Sequence, residues 1–388
     1  MLPVCWEELN GSETEQDKPK RAKQHLETRH LDGARWGGPG IHSEQGSGGL
    51  APTRGNNLAM FVKPVGRKGE FWSTNGTQAP FRTSSHMGCR PNLTEAAGQG
   101  KIYIVVAVFN RRTLTERLLH CMNGQSFRRF EIIVVDDGST DCTAELIADQ
   151  FPEVQVVRGD GTLWWTGATN VGIRHAMDRA GADDAILVIN NDLEVSPDYL
   201  ENLHRQWTSM PDTLIGSVAV DIENPDSIVD GGTIVNWWTA KERKLNVGQA
   251  LSQFGTAYSA PVSWLTGRGT LIPITVFRRI GLYNAKHYQQ CGDPELPVRA
   301  EAAGFRLVVS YACVVKTHTK TSYGVNVKER YTLRDLESYF FGVGAYTKLK
   351  IRWFFAYDTA KNPVRFVSFL LFDLARITGH FLLRLQLR

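Results

Sequence analysis

Residues 101–141 read KIYIVVAVFNRRTLTERLLHCMNGQSFRRFEIIVVDDGSTD. IYIVVAVF is a continuous apolar run rich in β-branched residues. It lacks the polar alternation of a half-exposed strand, so it is expected to be buried on both faces, as in a parallel sheet. It ends in Asn110, Arg111 and Arg112. Leu114, Leu118 and Met122 then recur at four-residue spacing, which predicts a helix with one apolar face. FEIIVVDD supplies a second buried strand, after which Ser139, Thr140 and Asp141 are placed to open another helix, with Ser139 as its cap.

The alternation continues along the chain. VQVVRG reads as a strand, Ala168 to Ala180 as a helix, AILVINND as a strand and Pro197 to Trp207 as a helix. Repeated β-α units of this kind predict an α/β fold, an open, mostly parallel sheet flanked by helices. Ligands of such sheets bind at the carboxyl ends of the strands. That directs attention to Asn110, to Asp136 and Asp137, and to Asn190, Asn191 and Asp192, which are expected to converge on one edge.

The 388 residues, 42% of them hydrophobic, can bury a substantial core. A net charge of +4, from 44 basic and 40 acidic residues, lacks the excess expected of a protein that coats nucleic acid. Six cysteines without a C-x-x-C pair suggest neither a zinc ribbon nor a disulfide scaffold, and a reducing, cytoplasmic setting is expected. No apolar run of signal-peptide length occurs near Met1. Residues 1–100 hold 15 of the 36 glycines and show no hydrophobic period, so they are expected to form a disordered extension.

Several groups could carry chemistry, and each also has a plain structural explanation. Asp136 or Asp137 can accept a hydrogen bond from a nucleoside or simply cap a helix. GDGTLWWTGATNVGI, from Gly159 to Ile173, offers flexible backbone, Asn170 and the flat faces of Trp164 and Trp165, although buried tryptophans usually serve packing. Asp192 in NND can ligate a hard divalent cation or close an Asx turn. Arg268 in WLTGRGTLIP can face a phosphate or terminate a strand. Asp293 and Glu295 in CGDPELPVRAEAAGF begin a helix whose Val298, Ala302 and Phe305 are expected to point inward, where acids also suit the helix dipole. His318 follows ACVVKT, and a lone histidine is ordinarily not a ligand.

In order and spacing, VVAVFNRR, VVDDGSTD, LWWTGATNVGI, LVINNDLEV, WLTGRGTLIP, CGDPELPVRAEAAGFRL and VVKTHTKTS resemble the successive motifs of family 2 glycosyltransferases, nearest the rhamnosyltransferase-like branch. The resemblance covers residues 101–325 and implies a GT-A fold, a Rossmann-like sheet, with inverting transfer of a sugar from a nucleotide-sugar to a hydroxyl. It implies a donor such as dTDP-rhamnose or a UDP-sugar, and a glycan or lipid-linked sugar as acceptor. Carried over by position, it makes Val108, Phe109, Asn110, Arg111, Asp136, Asp137, Trp165, Asn170, Asn191 and Arg268 donor contacts. Asn190, Asp192 and His318 become the holders of Mg2+ or Mn2+, with Asn190 replacing the leading aspartate of the D-x-D motif. Asp293 becomes the catalytic base. Two other readings are a sugar nucleotidyltransferase and a non-catalytic nucleotide-sugar binder. The first would need a glycine-rich loop after the first strand, where FNRRTLTER has no glycine. The second could dispense with Asp293.

Residues 326–388 are expected to be a C-terminal helical region, with one helix from Arg330 to Ile351 and another from Pro363 to Leu387. Asp373, Arg376, His380 and Arg384 fall on one stripe of an otherwise apolar helix, whose charges argue against spanning a bilayer. Such a basic amphipathic helix suits a peripheral position on the cytoplasmic face of a membrane, and equally suits packing on the enzyme or on a second copy of the chain.

Overall fold

The computed structural model describes residues 100–318, 330–342 and 348–385. The extension expected over residues 1–100 lies, apart from Gly100, outside the described residues. Strands β1 (Ile102–Val108), β2 (Phe130–Asp136), β3 (Gln155–Arg158) and β4 (Ala185–Ile189) appear where the sequence placed them. β1 lies between β2 and β4 and is parallel to both, with Val108 opposite Asp136. The side chains of β1 alternate between two cores. Ile102, Ile104 and Val106 join helix α1 (Arg112–Asn123) through Leu118, Leu119 and Met122 on one face. Tyr103 and Val105 join helix α3 (Trp164–Met177) through Ala168, Ile173 and Ala176 on the other. Burial on both faces explains the unbroken apolar run, each such aliphatic side chain contributing roughly 1.5–3 kcal/mol by leaving water.

Beyond β4 the sheet is mixed. β11 (Arg268–Pro273) runs antiparallel to both β4 and β6 (Thr213–Asp221), while β12 (Arg306–Thr317) is parallel to β6. The path through the sheet is β10–β12–β6–β11–β4–β1–β2–β3, where β10 is Ser259–Pro261, and β5 (Leu193–Val195) and β7 (Ile228–Asp230) attach to β12 and β6. A separate ribbon pairs β8 (Thr233–Asn236) with β9 (Lys241–Lys244). The mostly parallel α/β sheet flanked by helices is thus present, with an antiparallel strand inserted at its centre.

Three local expectations need correction. Helix α2 (Thr143–Gln150) starts later than Ser139, which instead accepts from the Asn110 backbone N–H through its Oγ at 2.9 Å; Asp141 accepts from the Thr143 N–H at 3.2 Å. After α4 (Tyr199–Ser209) and α5 (Ile274–Ile280), helix α6 (Glu295–Ala302) buries Leu296, Val298 and Ala300, while Ala302 is exposed. The helix expected from Arg330 to Ile351 is divided into a 3-10 turn at Leu333–Asp335, α7 (Leu336–Phe341) and the start of α8 (Leu349–Thr359), with residues 343–347 outside the described part.

The final helix, α9 (Pro363–Leu383), is capped by Asn362, whose side chain accepts from the Arg365 N–H at 2.9 Å, and begins with proline at a position that tolerates its missing N–H. Its mean hydropathy of 1.5 over an 18-residue window and its length of 21 residues suffice to cross a membrane, by length and composition only. The polar stripe is only partly turned to solvent: Arg376 is exposed, His380 and Arg384 are half-buried and Asp373 is buried. Asp373 is buried against Arg376 at 2.5 Å and Arg352 of α8 at 3.5 Å, beside Phe369, Leu370 and Ile377. Phe355 and Phe369 in turn pack on Trp237, next to the ribbon, and Phe355 also on Trp264. The outward face of α9 is therefore the apolar one.

Removing one partner of a buried pair costs roughly 3–5 kcal/mol, less where a partner is exposed as Arg376 is, so Asp373→Ala is expected to lose about 2 kcal/mol in chemical denaturation.

Candidate active site

Parallel pairing of β1 with β2 and β4 brings Asn110, Asp136, Asp137 and Asn190 to one edge of the sheet. Asn110 is left-handed, with φ 50°, and its Oδ1 accepts from the Thr140 N–H at 2.8 Å, fixing the loop that follows β2. The two aspartates of that loop have different duties. Asp137 accepts from three backbone N–H groups, of Gly161 at 3.0 Å, Leu163 at 3.2 Å and Trp164 at 2.9 Å, and so holds the turn that begins α3. Trp164 sits at φ 57° in that turn, a conformation costly for a bulky side chain and sustained here by the surrounding bonds. Asp136 is fully buried, and its Oδ1 accepts from the Ser139 N–H at 2.8 Å while Oδ2 has no partner. A buried carboxylate oxygen without a donor is costly unless a ligand supplies one.

Across the cleft, Gly267 brings three groups together. The Trp165 indole N–H donates to Asn190 Oδ1 at 3.0 Å, and a Cβ on Gly267 would lie 2.6 Å from the Trp165 ring and 3.1 Å from Asn190 Oδ1. The Gly267 N–H donates to Asp293 Oδ2 at 3.1 Å. Arg268 follows, paired with Asp230 at 3.6 Å, and Gly269 next to it has φ 79° at a bulge in the pairing with β4. A Cβ on Gly269 would meet the Tyr199 hydroxyl at 2.3 Å, so this turn of the strand requires glycine. Burial raises the pKa of Asp293 above the ordinary carboxylate value, although the Gly267 N–H and the positive charges of Arg268 and Lys244 pull it down. The residue as a whole is half-buried, its carboxyl group being enclosed beside the cleft.

Not all of the sequence candidates reach the cleft. The Asn170 amide is engaged at both ends by the Tyr283 backbone, donating to its carbonyl at 2.8 Å and accepting from its N–H at 3.0 Å, so it ties α3 to the loop after α5 and is not left for a nucleotide. Asn191 is buried and donates to Thr115 Oγ1 at 3.0 Å, securing α1. Val108 is buried and contributes its carbonyl, which accepts from the Asp137 N–H at 2.9 Å. Phe109 and Arg111 are exposed at the rim, and Arg111 Nη1 lies 3.7 Å from Asp192 Oδ2.

Asp192 and His318 are distant in sequence, yet β5 and β12 pair Leu193 with Thr317 in an antiparallel register. His318 and Asp192 are the next residues beyond that last pair. Among the described residues no group of three His, Cys, Asp or Glu side chains gathers as a metal site. One carboxylate and one imidazole are fewer ligands than a cation needs, and of the two only the Asp192 carboxylate is of the oxygen type that Mg2+ takes. Gly267 and the loop around Tyr283 escaped the sequence reading as site-builders, because their role depends on close approach between segments about 100 residues apart.

Residues 103–263 match the family model described as glycosyl transferase family 2. Over 263 residues, 61% of this chain and 82% of the relative, the chain is 22% identical to the N-acetylglucosaminyl-diphospho-decaprenol L-rhamnosyltransferase of Mycobacterium tuberculosis. Among solved structures it is similar to S. aureus TarS 1-349 in complex with UDP, with 16% identity and a TM-score of 0.48, covering 74% of this chain and 76% of that one. It is also similar to the mannosyltransferase PcManGT from Pyrobaculum calidifontis in complex with GDP-Man and Mn2+, with 15% identity and a TM-score of 0.44, covering 72% and 73%.

A carboxyl whose folded pKa is raised binds its proton more tightly in the native than in the unfolded state, so stability falls as pH rises between the unfolded and the folded value. Asp293→Asn is therefore expected to unfold at an equal or higher temperature than the parent at pH 7. Thermal scans should show that difference shrinking as pH is lowered through the raised pKa.

Proposed function

We propose that this chain is a family 2 glycosyltransferase, as its match over residues 103–263 supports, and that it transfers the sugar of a nucleoside-diphosphate donor, with inversion, to a hydroxyl of a lipid-linked acceptor at the cytoplasmic face of a membrane. In this reading it is a glycosyltransferase of the rhamnosyltransferase-like kind with a GT-A fold. The observation that carries the mechanistic reading is the enclosed Asp293 carboxylate, held by the Gly267 N–H and facing the strand ends across Trp165 and Asn190. The unpartnered Asp136 Oδ2 supports the nucleoside assignment, since the imide N–H of a uracil or thymine ring is a donor of the required kind. dTDP-rhamnose or a UDP-sugar is the donor this favours, and the acceptor class follows the relative's name.

In this reading Asp293 removes the proton of the acceptor hydroxyl, helped by the raised pKa that makes it a stronger base than an exposed aspartate. The acceptor oxygen forms its bond to the anomeric carbon from the face opposite the diphosphate. The bond to the diphosphate oxygen breaks and its electron pair leaves with the nucleotide. Asp192 and His318 would hold a divalent cation, which when bound supplies positive charge to the departing diphosphate. Arg111, beside Asp192, adds a cation of the chain's own at that edge. A nucleotidyltransferase would leave Asp293 without a task, and so would a non-catalytic binder.

Asp293→Asn is expected to bind UDP or dTDP as the parent does while transfer falls by at least about 100-fold, the scale of a lost general base. Parent-like turnover would remove the base assignment. Asp136→Ala is expected to weaken nucleotide binding by about 10-fold or more in calorimetry, the worth of one hydrogen bond to a charged group. The acidic limb of the pH–rate profile should lie above the roughly 3.9 of an ordinary aspartate, because Asp293 must be ionised to act. Unchanged transfer in excess chelator, with no metal bound, would exclude the role given to Asp192 and His318.

A further inference from the structure

Next to the catalytic loop, and outside the site described above, lies a cleft of about 140 Å³ lined among others by Trp164, Lys286, His287, Gln289, Lys348 and Lys350. It is joined to the donor side by its own walls. The Trp164 N–H donates to Asp137, and the Gln289 carbonyl accepts from the Thr166 N–H at 3.1 Å, two residues before Cys291 and four before Asp293. Lys286, Lys348 and Lys350 form no ion pair with a carboxylate among the described residues. Asp358, which touches this wall through His287, is occupied: it accepts from the Tyr288 hydroxyl at 2.9 Å and pairs with His287 Nδ1 at 2.7 Å. Unneutralised ammonium groups around one cavity repel each other unless an anion joins them.

The same helix leads from this cleft to an apolar surface. On α8, Lys350, Trp353 and Tyr357 are spaced i, i+3, i+7 and so share one face. Trp353 is 51% and Tyr357 65% exposed, and both rest edge-on against Phe366 of α9. From there the outward face of α9 continues through Val367, Leu371, which is 61% exposed, and Phe372. A stripe that begins with lysines at a cavity and ends in exposed aromatic and aliphatic side chains has the polarity of an amphiphile with an anionic head and a hydrocarbon tail.

We propose that this cleft binds the phosphate or diphosphate group of the lipid-linked acceptor, with its hydrocarbon chain lying on the outer faces of α8 and α9. The proposal rests on the glycosyltransferase reading for its ligand, and it gives the acceptor a site of its own: the anion is held by Lys286, Lys348 and Lys350 while the sugar hydroxyl extends toward Asp293. Lysine suits this task, as a mobile point charge that donates to phosphate oxygens in several geometries.

The test is binding of four probes to the full chain: inorganic pyrophosphate, farnesyl diphosphate, farnesol and UDP. The parent is expected to bind farnesyl diphosphate more tightly than either pyrophosphate or farnesol. Lys348→Gln with Lys350→Gln should weaken both diphosphates at least about tenfold and leave UDP within about twofold. Trp353→Ser with Leu371→Ser, exposed positions whose change spares the core, should bring farnesyl diphosphate down to the level of pyrophosphate and leave pyrophosphate itself unaltered. The proposal is overturned if the lysine variant binds both diphosphates like the parent. It is equally overturned if UDP is lost together with them, which would make the cleft part of the donor site. Absence of sugar transfer from every nucleotide-sugar would remove the functional reading yet leave these binding results standing, so the two failures are distinguishable.

Discussion

Parallel pairing of Ile102–Val108 between Phe130–Asp136 and Ala185–Ile189 is the constraint on which the rest depends. Parallel strands must all end on the same edge, and an apolar strand buried on both faces can place its polar residues only at those ends. Asp136, Asp137, Asn110 and Asn190 are gathered for that reason before any ligand is considered. The choice between the two aspartates is then made by hydrogen-bond supply. Asp137 takes three backbone N–H groups from the 161–164 turn, whereas Asp136 keeps one oxygen buried and without a donor.

The opposite wall comes from the antiparallel strand Arg268–Pro273, inserted between β4 and β6. Its bulge at Gly269 and the bare Gly267 allow the chain to pass against Trp165 and Asn190 and to donate an N–H to Asp293. A carboxylate more than 150 residues from Asp136 thus reaches the same cleft. Its enclosure disfavours the charged form, and that cost to stability is the same physical effect that makes it basic.

Much of this was legible in the chain itself. The four parallel strands were readable because burial on both faces leaves uninterrupted apolar runs, and strand-end residues followed from the topology. Asn170, Asn191 and Asp137 were harder. Amides and acids at such positions serve ligands or backbone equally well, and only the Tyr283, Thr115 and 161–164 partners reveal which. The antiparallel insertion was hidden because strand direction leaves no mark on a short apolar segment. In the last helix the charged residues could be read as one stripe, yet the burial of Asp373 depends on Arg352 of a neighbouring helix being there to neutralise it. The three lysines of the second cleft come from two separate segments, so no local charge run announces them.

A single displacement driven by one carboxylate is the step proposed for Asp293, and the anomeric configuration of the product tests it most directly. With a nucleotide-sugar that the protein turns over, NMR of the newly formed glycoside should show the configuration opposite to that of the donor. Retention of configuration would require a second displacement or a different reacting face, and would contradict the account built on Asp293.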